Sequence, residues 1–443
     1  MKRKLFKCLA SLAVSVVMLV ATPAMPSWLA GNTFATAAQQ QAAKQANVYK
    51  GKVVGISRKA KTISIIVGSG KNAKTMMVRF DDATKGVEHA SKGHASIIQF
   101  KTVGADKIAT VIKPKLAKLP KGTMEMQPDE LAALIHNGVA GSYLLADARP
   151  GKRFAEGSIP TAVSIPVPTM KEEGAKLLPA DKNKMLIFFC GGVTCGMSTK
   201  EAGMAVKLGY TNVHVMLKGV PGWKKTGHPV VASEKFLKKG NIVLVDLRSK
   251  GEYEAGHIPR AHNIPLAQLQ DANDDLPASP VAPVVLYGND DQAQKGYKVL
   301  VKLKRKKVAL SPLDFAAWKS AGNKVATGAT PEEIVWKRIL GKNEVAIKEF
   351  MRVVASHPAD KMILDVRTDD EAAAGHFAGS QHIALDQLAA RMISLPKGKE
   401  ILVHCTTGAR AEMACTELLN AGFRCRYLVA KVECEGTSCE VEE

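Results

Sequence analysis

The pattern of hydrophobic and polar positions divides the chain into three parts. A short basic segment is followed by an apolar run over residues 9–20. Between about residues 49 and 113, short β-branched runs such as 62–67 alternate with turns rich in glycine and lysine, which is typical of strands. Beyond residue 121, amphipathic helical segments alternate with continuous apolar runs such as 185–189. That alternation predicts an α/β architecture with parallel sheets.

The N-terminal segment has the three-part pattern of a secretory signal peptide. Lys2, Arg3, Lys4 and Lys7 precede the apolar run, and small residues follow it. We therefore predict that residues 1–38 are a cleaved signal peptide and linker, and that the protein is secreted or periplasmic. The cut would follow Ala24 or fall within residues 35–38. An uncleaved N-terminal anchor is the alternative, although the run is short for a membrane span.

The β-rich segment, residues 47–120, predicts a small basic β-barrel-like domain of about five strands with an OB-like topology. Residues 50–121 hold 16 basic and four acidic residues, a net charge of +12 within a chain of net charge +21. Such a domain favours anionic partners, and an acidic envelope polymer is one possibility. Only Tyr49, Phe80 and Phe100 are available for base stacking, so we do not expect nucleic acid as a partner.

The remainder contains an internal repeat of about 100 residues that occurs three times. Each copy has an Asp-x-Arg motif after an apolar run, then a glycine turn, then a second apolar run. The motifs begin at Asp147, Asp246 and Asp365. They predict three α/β domains over residues 123–228, 229–326 and 331–443. We expect the Asp and Arg side chains to form buried ion pairs, and His257 and His376 to stabilise the glycine turns.

These motifs, with a cysteine loop after a central strand, resemble the rhodanese (sulfurtransferase) family over residues 123–430, about 70% of the chain. The third copy resembles that family's six-residue active-site loop, which begins with a nucleophilic cysteine and ends in arginine. The resemblance implies that Cys405 is the nucleophile and that the loop holds a sulfur substrate rather than a phosphate. The loop residues are Cys405, Thr406, Thr407, Gly408, Ala409 and Arg410.

The residues themselves predict the same chemistry. A cysteine at a helix N-terminus, beside backbone N–H groups and an arginine, is favoured as a thiolate. The N–H groups of the loop would hold a persulfide or thiosulfate, and Arg410 would act as an anion clamp. His404 precedes the cysteine on the strand, so its side chain should point to the opposite face and be structural.

The first copy departs from this pattern. Counted from the cysteine, Cys195 stands where the third copy has Arg410, so anion binding should be weaker. Cys190 could be reactive, with Cys195 resolving a persulfide, or the two could form an inert bridge or a buried pair. The loop residues are Cys190, Gly191, Gly192, Val193, Thr194 and Cys195. The second copy has no cysteine, and Asp290 and Asp291 would repel an anion, so we predict that it is inactive.

The end of the third copy also departs, because its last helix is missing or replaced. Cys434 and Cys439 lie in this tail and could form a terminal disulfide, a redox pair that serves Cys405, or a soft-metal site with the glutamates. Cys415 falls on the apolar stripe of the helix after the loop, so we expect it to pack in the core.

The sequence thus predicts an exported sulfurtransferase. Sulfane sulfur would pass from an anionic donor, thiosulfate or polysulfide, through a Cys405 persulfide to a thiol, cyanide or a protein acceptor. No motif for a cofactor or a metal is visible. The alternative is a non-catalytic binding or assembly protein of the cell envelope built on rhodanese folds. A third hypothesis is a thiol–disulfide redox protein that uses Cys190 and Cys195.

Overall fold

The structure is a computed structural model that describes residues 47–442 apart from 59, 60, 69, 105, 140, 330 and 332. The predicted signal peptide lies outside the described residues. Within them, no helix is both long enough and apolar enough to cross a membrane.

The N-terminal domain is a closed five-stranded barrel, as the alternation predicted. Its strands are β1 (Val48–Ser57), β2 (Thr62–Val67), β3 (Lys74–Arg79), β4 (Ala95–Val103) and β5 (Asp106–Pro114), and they close in the order β1-β2-β3-β5-β4. This is a small Greek-key barrel of the OB-like kind. Alternate positions point inward, and Val53, Ile63 and Ile98 are fully buried.

Each repeat is an α/β domain with a parallel sheet, as predicted. The first sheet has the order β6-β10-β9-β7-β8. Its elements are β6 (Met124–Glu125), α1 (Pro128–Asn137), β7 (Tyr143–Asp147), α2 (Gly151–Glu156), β8 (Val163–Ser164), α3 (Val167–Leu177), β9 (Met185–Phe189), α4 (Met197–Lys207), β10 (Val213–Met216) and α5 (Gly219–Lys225).

The second copy has a four-stranded sheet in the order β12-β11-β13-β14. Its elements are α6 (Glu234–Lys239), β11 (Val243–Asp246), α7 (Lys250–Ala255), β12 (Ala261–Asn263), β13 (Val284–Tyr287), α8 (Asp290–Lys302), β14 (Val308–Leu310) and α9 (Phe315–Ser320). One hydrophobic core runs through the first and second copies and includes Trp223, Tyr253 and Trp318. These two copies are therefore joined by continuous packing.

The third copy has a five-stranded sheet in the order β15-β19-β18-β16-β17. Its elements are β15 (Glu344–Val345), α10 (Ile347–Ser356), β16 (Lys361–Asp365), α11 (Asp369–Ala374), β17 (Gln381–His382), α12 (Leu385–Arg391), β18 (Glu400–His404), α13 (Ala409–Asn420) and β19 (Arg424–Leu428). A hairpin of β20 (Lys431–Glu435) and β21 (Ser438–Glu442) stands where the family pattern has its last helix.

The three Asp-x-Arg motifs form the predicted buried ion pairs. In the third copy, Nε and Nη2 of Arg367 donate to both carboxylate oxygens of Asp365 at 2.6–3.0 Å. The same guanidinium also donates to the carbonyl of Gly375 at 2.6 Å, which fixes the glycine turn. The other two copies repeat this arrangement. The turn histidines also act as expected, since Nδ1 of His257 donates to the carbonyl of Tyr253 at 2.9 Å.

The expectation that Cys415 only packs in the core was incomplete. The side chain is fully buried, but its sulfur forms a disulfide with Cys425 on β19. The chain turns back after α13 so that the helix and the strand lie side by side, which brings the two cysteines together at a Cα–Cα distance of 5.6 Å. The disulfide therefore ties the helix that carries the Cys405 loop to the sheet.

The barrel packs against the third copy beside the Cys405 loop. A Cβ atom added at Gly55 of β1 would lie 3.1 Å from the Cβ of Ala409, the first residue of α13. Lys92 pairs with Glu412 on the same helix at 2.8 Å. The loop of the first copy is held as well, because the N–H of Ala117, in the segment after the barrel, donates to the carbonyl of Val193 at 2.8 Å. The barrel and its connection thus contact both cysteine loops.

Candidate active site

Cys405 lies where the central strand of the third copy meets a helix. Strand β18 ends at His404 and α13 begins at Ala409, so the sulfur sits at the carboxyl edge of the sheet and at the positive end of a helix. The residue is 1% exposed. The backbone N–H of Gly408 donates to its sulfur at 3.1 Å. This hydrogen bond stabilises negative charge on the sulfur.

The structure places Arg410 in a buried ion pair with Glu371. The guanidinium donates to the two carboxylate oxygens at 2.6 and 3.0 Å, and its side chain is 5% exposed. The hydroxyl of Thr406 donates to Glu371 at 2.8 Å and accepts from Arg410 at 3.0 Å. These bonds join the beginning and the end of the loop through one carboxylate.

Glu371 was not found by sequence reasoning. It lies on α11, and it also accepts hydrogen bonds from the backbone N–H and the hydroxyl of Thr368, which caps that helix. The available signal was the Thr-x-x-Glu capping box at 368–371, which predicts a helix start but no contact with a loop 39 residues away. Arg410 thus holds the loop through Glu371 and Thr406, and its predicted action as an anion clamp stays a prediction.

The remaining loop residues differ in exposure. Thr406 and Gly408 are buried, Ala409 is half-buried, and Thr407 is exposed. On the outer side, the N–H of Val432 in the terminal hairpin donates to the carbonyl of Thr406 at 3.0 Å. Cys434 and Cys439 pair directly across this hairpin and form a disulfide. The hairpin thus supports the loop backbone.

His404 lies on the opposite side of the strand, as expected. Its ring is fully buried against Phe377 and Phe350, with centroid distances of 4.8 and 5.8 Å. Neither ring nitrogen has a hydrogen-bond partner within the described ranges. Burial lowers the pKa of His404 to about 4, although nearby Asp365 acts in the other direction. The side chain is therefore a neutral part of the core near pH 7.

In the first copy, the two thiols do not lie where counting residues from the first cysteine of the loop predicted. Helix α13 begins four residues after Cys405, whereas α4 begins seven residues after Cys190. The prediction that Cys195 takes the place of Arg410 was therefore wrong, because Arg410 lies inside the helix that follows its loop and Cys195 lies before the corresponding helix. The second residue of α4 is Ser198, as Arg410 is the second residue of α13, and its Oγ lies 3.2 Å from the sulfur of Cys190. Residues 191–194 form the outer part of the longer loop and line a cavity of about 550 Å³.

The second copy has structural side chains in the corresponding place. Asn289 caps α8 by accepting a hydrogen bond from the N–H of Gln292 at 2.9 Å. The hydroxyl of Tyr287 accepts from the N–H of Ile258 at 3.1 Å inside the core. These residues close the end of the strand with hydrogen bonds and offer no nucleophile.

Comparison with known proteins gives a match in all three copies. A family model described as Rhodanese-like domain matches residues 127–226, 232–321 and 348–430. A sulfurtransferase of Allochromatium vinosum is 30% identical over 64 residues, which are 14% of this chain and 60% of that protein. The putative sulfur carrier protein YrkF of Bacillus subtilis is 28% identical over 126 residues, 26% of this chain and 68% of that protein.

Among solved structures, the thiosulfate sulfurtransferase from Pseudomonas aeruginosa is 20% identical. The similarity covers 71% of this chain and 64% of that one, with a TM-score of 0.26. The chain thus spans less than two thirds of the length of this protein and of the A. vinosum relative. Because the family model matches three ranges that together make up more than half of the sequence, the chain belongs to the rhodanese-like domain family.

Proposed function

We propose that this protein is an exported sulfurtransferase in which Cys405 carries sulfane sulfur. The observation that supports this most directly is the position of the Cys405 sulfur, which lies at the N-terminus of α13 and accepts the Gly408 N–H at 3.1 Å. A cysteine attacks sulfur as its thiolate, and a helix N-terminus with a backbone N–H donor is a position typical of cysteines that react in this way. A sulfurtransferase among the relatives is consistent with this chemistry.

The reaction would proceed in two displacements at sulfur. With thiosulfate as donor, the Cys405 thiolate attacks the outer sulfur, the sulfur–sulfur bond of the donor breaks, and sulfite leaves with the electron pair. The acceptor, a thiolate, cyanide or a protein thiol, then attacks the outer sulfur of the persulfide. Cys405 leaves as thiolate and is ready for another cycle. A polysulfide donor would lose a shorter polysulfide instead of sulfite.

The remaining groups position the loop and attract the donor. Glu371 binds Arg410 and Thr406, so it fixes the curvature of the loop around the sulfur. The barrel lies within the segment 50–121, which has a net charge of +12, and it packs beside the loop, where it would raise the local concentration of anions. The same charge supports an acidic envelope polymer as a second partner, and the predicted signal peptide supports export.

Mass measurement of the intact protein after incubation with thiosulfate tests this proposal. We expect the full chain to gain one sulfur atom, and the C405S variant to gain none because it lacks the attacking thiolate. The C190S variant is the matched control, since it removes another buried free thiol and should still gain the sulfur.

A wild-type protein that gains no sulfur, with Cys405 shown to be reduced beforehand, would contradict the proposal. It would favour the alternative, a non-catalytic envelope protein. The second copy, which has no cysteine and shares a core with the first, supports this alternative, because a copy of the fold without a nucleophile would serve as a scaffold.

A further inference from the structure

The first copy holds two free thiols at the end of β9. Cys190 is 1% exposed, and Cys195 is partly exposed. The thiol of Cys190 donates to the backbone carbonyl oxygen of Cys195 at 3.2 Å. A buried thiol that contacts the residue carrying an accessible thiol is an arrangement suited to thiol–disulfide exchange.

The two thiols have unequal acidity for a structural reason. The neighbouring Cys190 thiol lowers the pKa of Cys195, against the effect of burial. The backbone N–H groups of Met197 and Gly191 and the charge of Arg149 add to this effect. Conversely, donation to Cys195 and burial raise the pKa of Cys190. Cys195 is therefore the thiol that attacks or is attacked, and Cys190 keeps its proton.

A buried carboxyl group lies on the same helix face as the contact to Cys190. Glu201 is three residues after Ser198 on α4, so both side chains project to one side of the helix. Glu201 is fully buried, and neither carboxyl oxygen has a hydrogen-bond partner within the part of the chain that the structure describes. Burial raises the pKa of Glu201 to about 9, and the negative charge of Asp147 acts in the same direction.

The buried carboxyl group of Glu201 carries an energetic cost that no hydrogen bond among the described residues offsets. An unpartnered buried carboxyl destabilises a protein, and alanine or leucine would fill the same helix face without that cost. Its raised pKa and its place on the helix face that contacts Cys190 together indicate a group that stores a proton.

We propose that the first copy is a thiol–disulfide exchange site in which Cys195 reacts with the substrate, Cys190 resolves it, and Glu201 holds the proton that Cys190 gains and loses. This activity is separate from sulfur transfer at Cys405. Glu201 acts through Cys190 and is thus a positioning and proton-holding residue.

The steps balance in atoms and electrons. In the oxidised form, Cys190 and Cys195 share a disulfide. A substrate thiolate attacks the accessible sulfur of Cys195, the protein disulfide breaks, and Cys190 leaves with the electron pair and takes the proton of Glu201. A second substrate thiolate attacks the substrate sulfur of the mixed disulfide, forms the substrate disulfide and releases Cys195. One of the two substrate protons returns to Glu201, and the other goes to Cys195 or solvent.

The reverse reaction reoxidises the protein with a second disulfide compound. The cavity beside the loop indicates the substrate class. It is lined by loop residues 191–194 together with His94, Lys218 and Lys225. The two lysines favour a small thiol or disulfide that carries carboxylates. Glutathione in its oxidised and reduced forms is a suitable probe.

The experiment uses the full chain in a C8S and C405S background. The first substitution removes the cysteine of the predicted signal peptide, which could also take up glutathione, and the second makes the result independent of sulfur loading. Incubation with oxidised glutathione should remove two alkylatable thiols and leave no adduct, because Cys190 displaces glutathione from Cys195. The C190S variant should instead trap one glutathione on residue 195, and C195S should form no Cys190–Cys195 bridge.

The role of Glu201 is tested by the rate at which glutathione reduces the protein disulfide. The E201Q variant should form the same protein disulfide but be reduced by glutathione about 100-fold more slowly, the effect of losing one proton donor. E201D should recover part of that rate. The matched control is E417Q on α13, where burial also raises the pKa of a carboxyl but no free thiol adjoins it, and it should leave the rate unchanged.

The pH dependence of the reduction rate separates a proton donor from a packing role. The ratio of the rate with Glu201 to the rate of E201Q should fall as the pH rises through about 9, where Glu201 loses its proton, and a packing role would leave this ratio constant. The proposal is overturned if C190S traps no glutathione, or if folded E201Q is reduced at the unmodified rate. Should E201Q not fold, trapping by C190S still decides whether the site exchanges disulfides.

Discussion

Replacing Glu371 with glutamine is expected to open the Cys405 loop and weaken the third copy by about 3–5 kcal/mol, because the variant leaves a buried guanidinium without its charged partner. Glu371 accepts five hydrogen bonds, from Arg410, Thr406 and Thr368. Glutamine keeps the shape of the side chain but replaces one acceptor oxygen with a donor that faces Arg410. Sulfur loading of Cys405 should also decrease, because the curvature of the loop depends on those hydrogen bonds.

Hydrogen exchange followed by mass spectrometry measures this effect locally in the multidomain chain. Peptides that cover α11 and the loop should lose protection in E371Q. E252Q is the matched control, since Glu252 forms the same capping box with Ser249 in the second copy but is exposed and pairs with no buried arginine. The E252Q substitution should lower the free energy of unfolding by less than about 1 kcal/mol. Equal losses in the two variants would contradict the role of the Glu371–Arg410 pair.

The same pair predicts a pH dependence. Burial alone would raise the pKa of Glu371, but Arg410, the Thr368 N–H and the Thr406 hydroxyl lower it from 4.5 to about 2. The folded state thus favours the carboxylate, and this contribution of about 3 kcal/mol is fully present above pH 4.5. It is lost as the pH falls from 4.5 towards 2. The difference in protection between the wild type and E371Q should therefore be constant from pH 5 to 7 and shrink below that range.

The fold could be predicted from the sequence because the patterns that indicate its elements are local and occur in three copies. Strand runs such as 185–189, the Asp-x-Arg motifs and the glycine turns each predict their element from a few neighbouring residues, and three copies reinforce one another. The Cys405 loop could also be predicted, because the strand, the short loop and the helix that form it are contiguous in sequence. The position of Cys405 followed from this order alone.

The missed features depend on contacts between distant segments or on where a helix begins. Glu371 meets Arg410 across 39 residues, and its capping box gives no hint of that partner. The first loop was placed out of register because counting from Cys190 assumed an equal loop length, whereas the helix begins three residues later. Glu201 was missed since a single carboxyl in a helix normally indicates an exposed face. The disulfide between Cys415 and Cys425 required knowing that α13 and β19 lie side by side.

Replacing Gly408 with alanine is expected to slow sulfur loading of Cys405 by about 100-fold, the effect of a displacement of about 1 Å at a reacting atom. Gly408 has a left-handed backbone with φ of 88°, and its N–H donates to the Cys405 sulfur. An added Cβ would lie 2.8 Å from Cα of Val429 and 2.9 Å from the carbonyl oxygen of Leu428. Because these are backbone atoms at the end of β19, the loop must move away and carry its N–H with it.

G422A is the matched control because it separates the collision from the backbone conformation. Gly422 follows the same helix at its other end with φ of 85°, and an added Cβ would meet no atom within 4 Å. Both variants carry the cost of a left-handed alanine, about 1–2 kcal/mol, but only G408A displaces the sulfur's hydrogen-bond donor. Rates of persulfide formation, measured by mass after brief exposure to thiosulfate, should stay within about twofold of the wild type in G422A. Equal rates in the two variants would show that the Gly408 N–H does not position the sulfur.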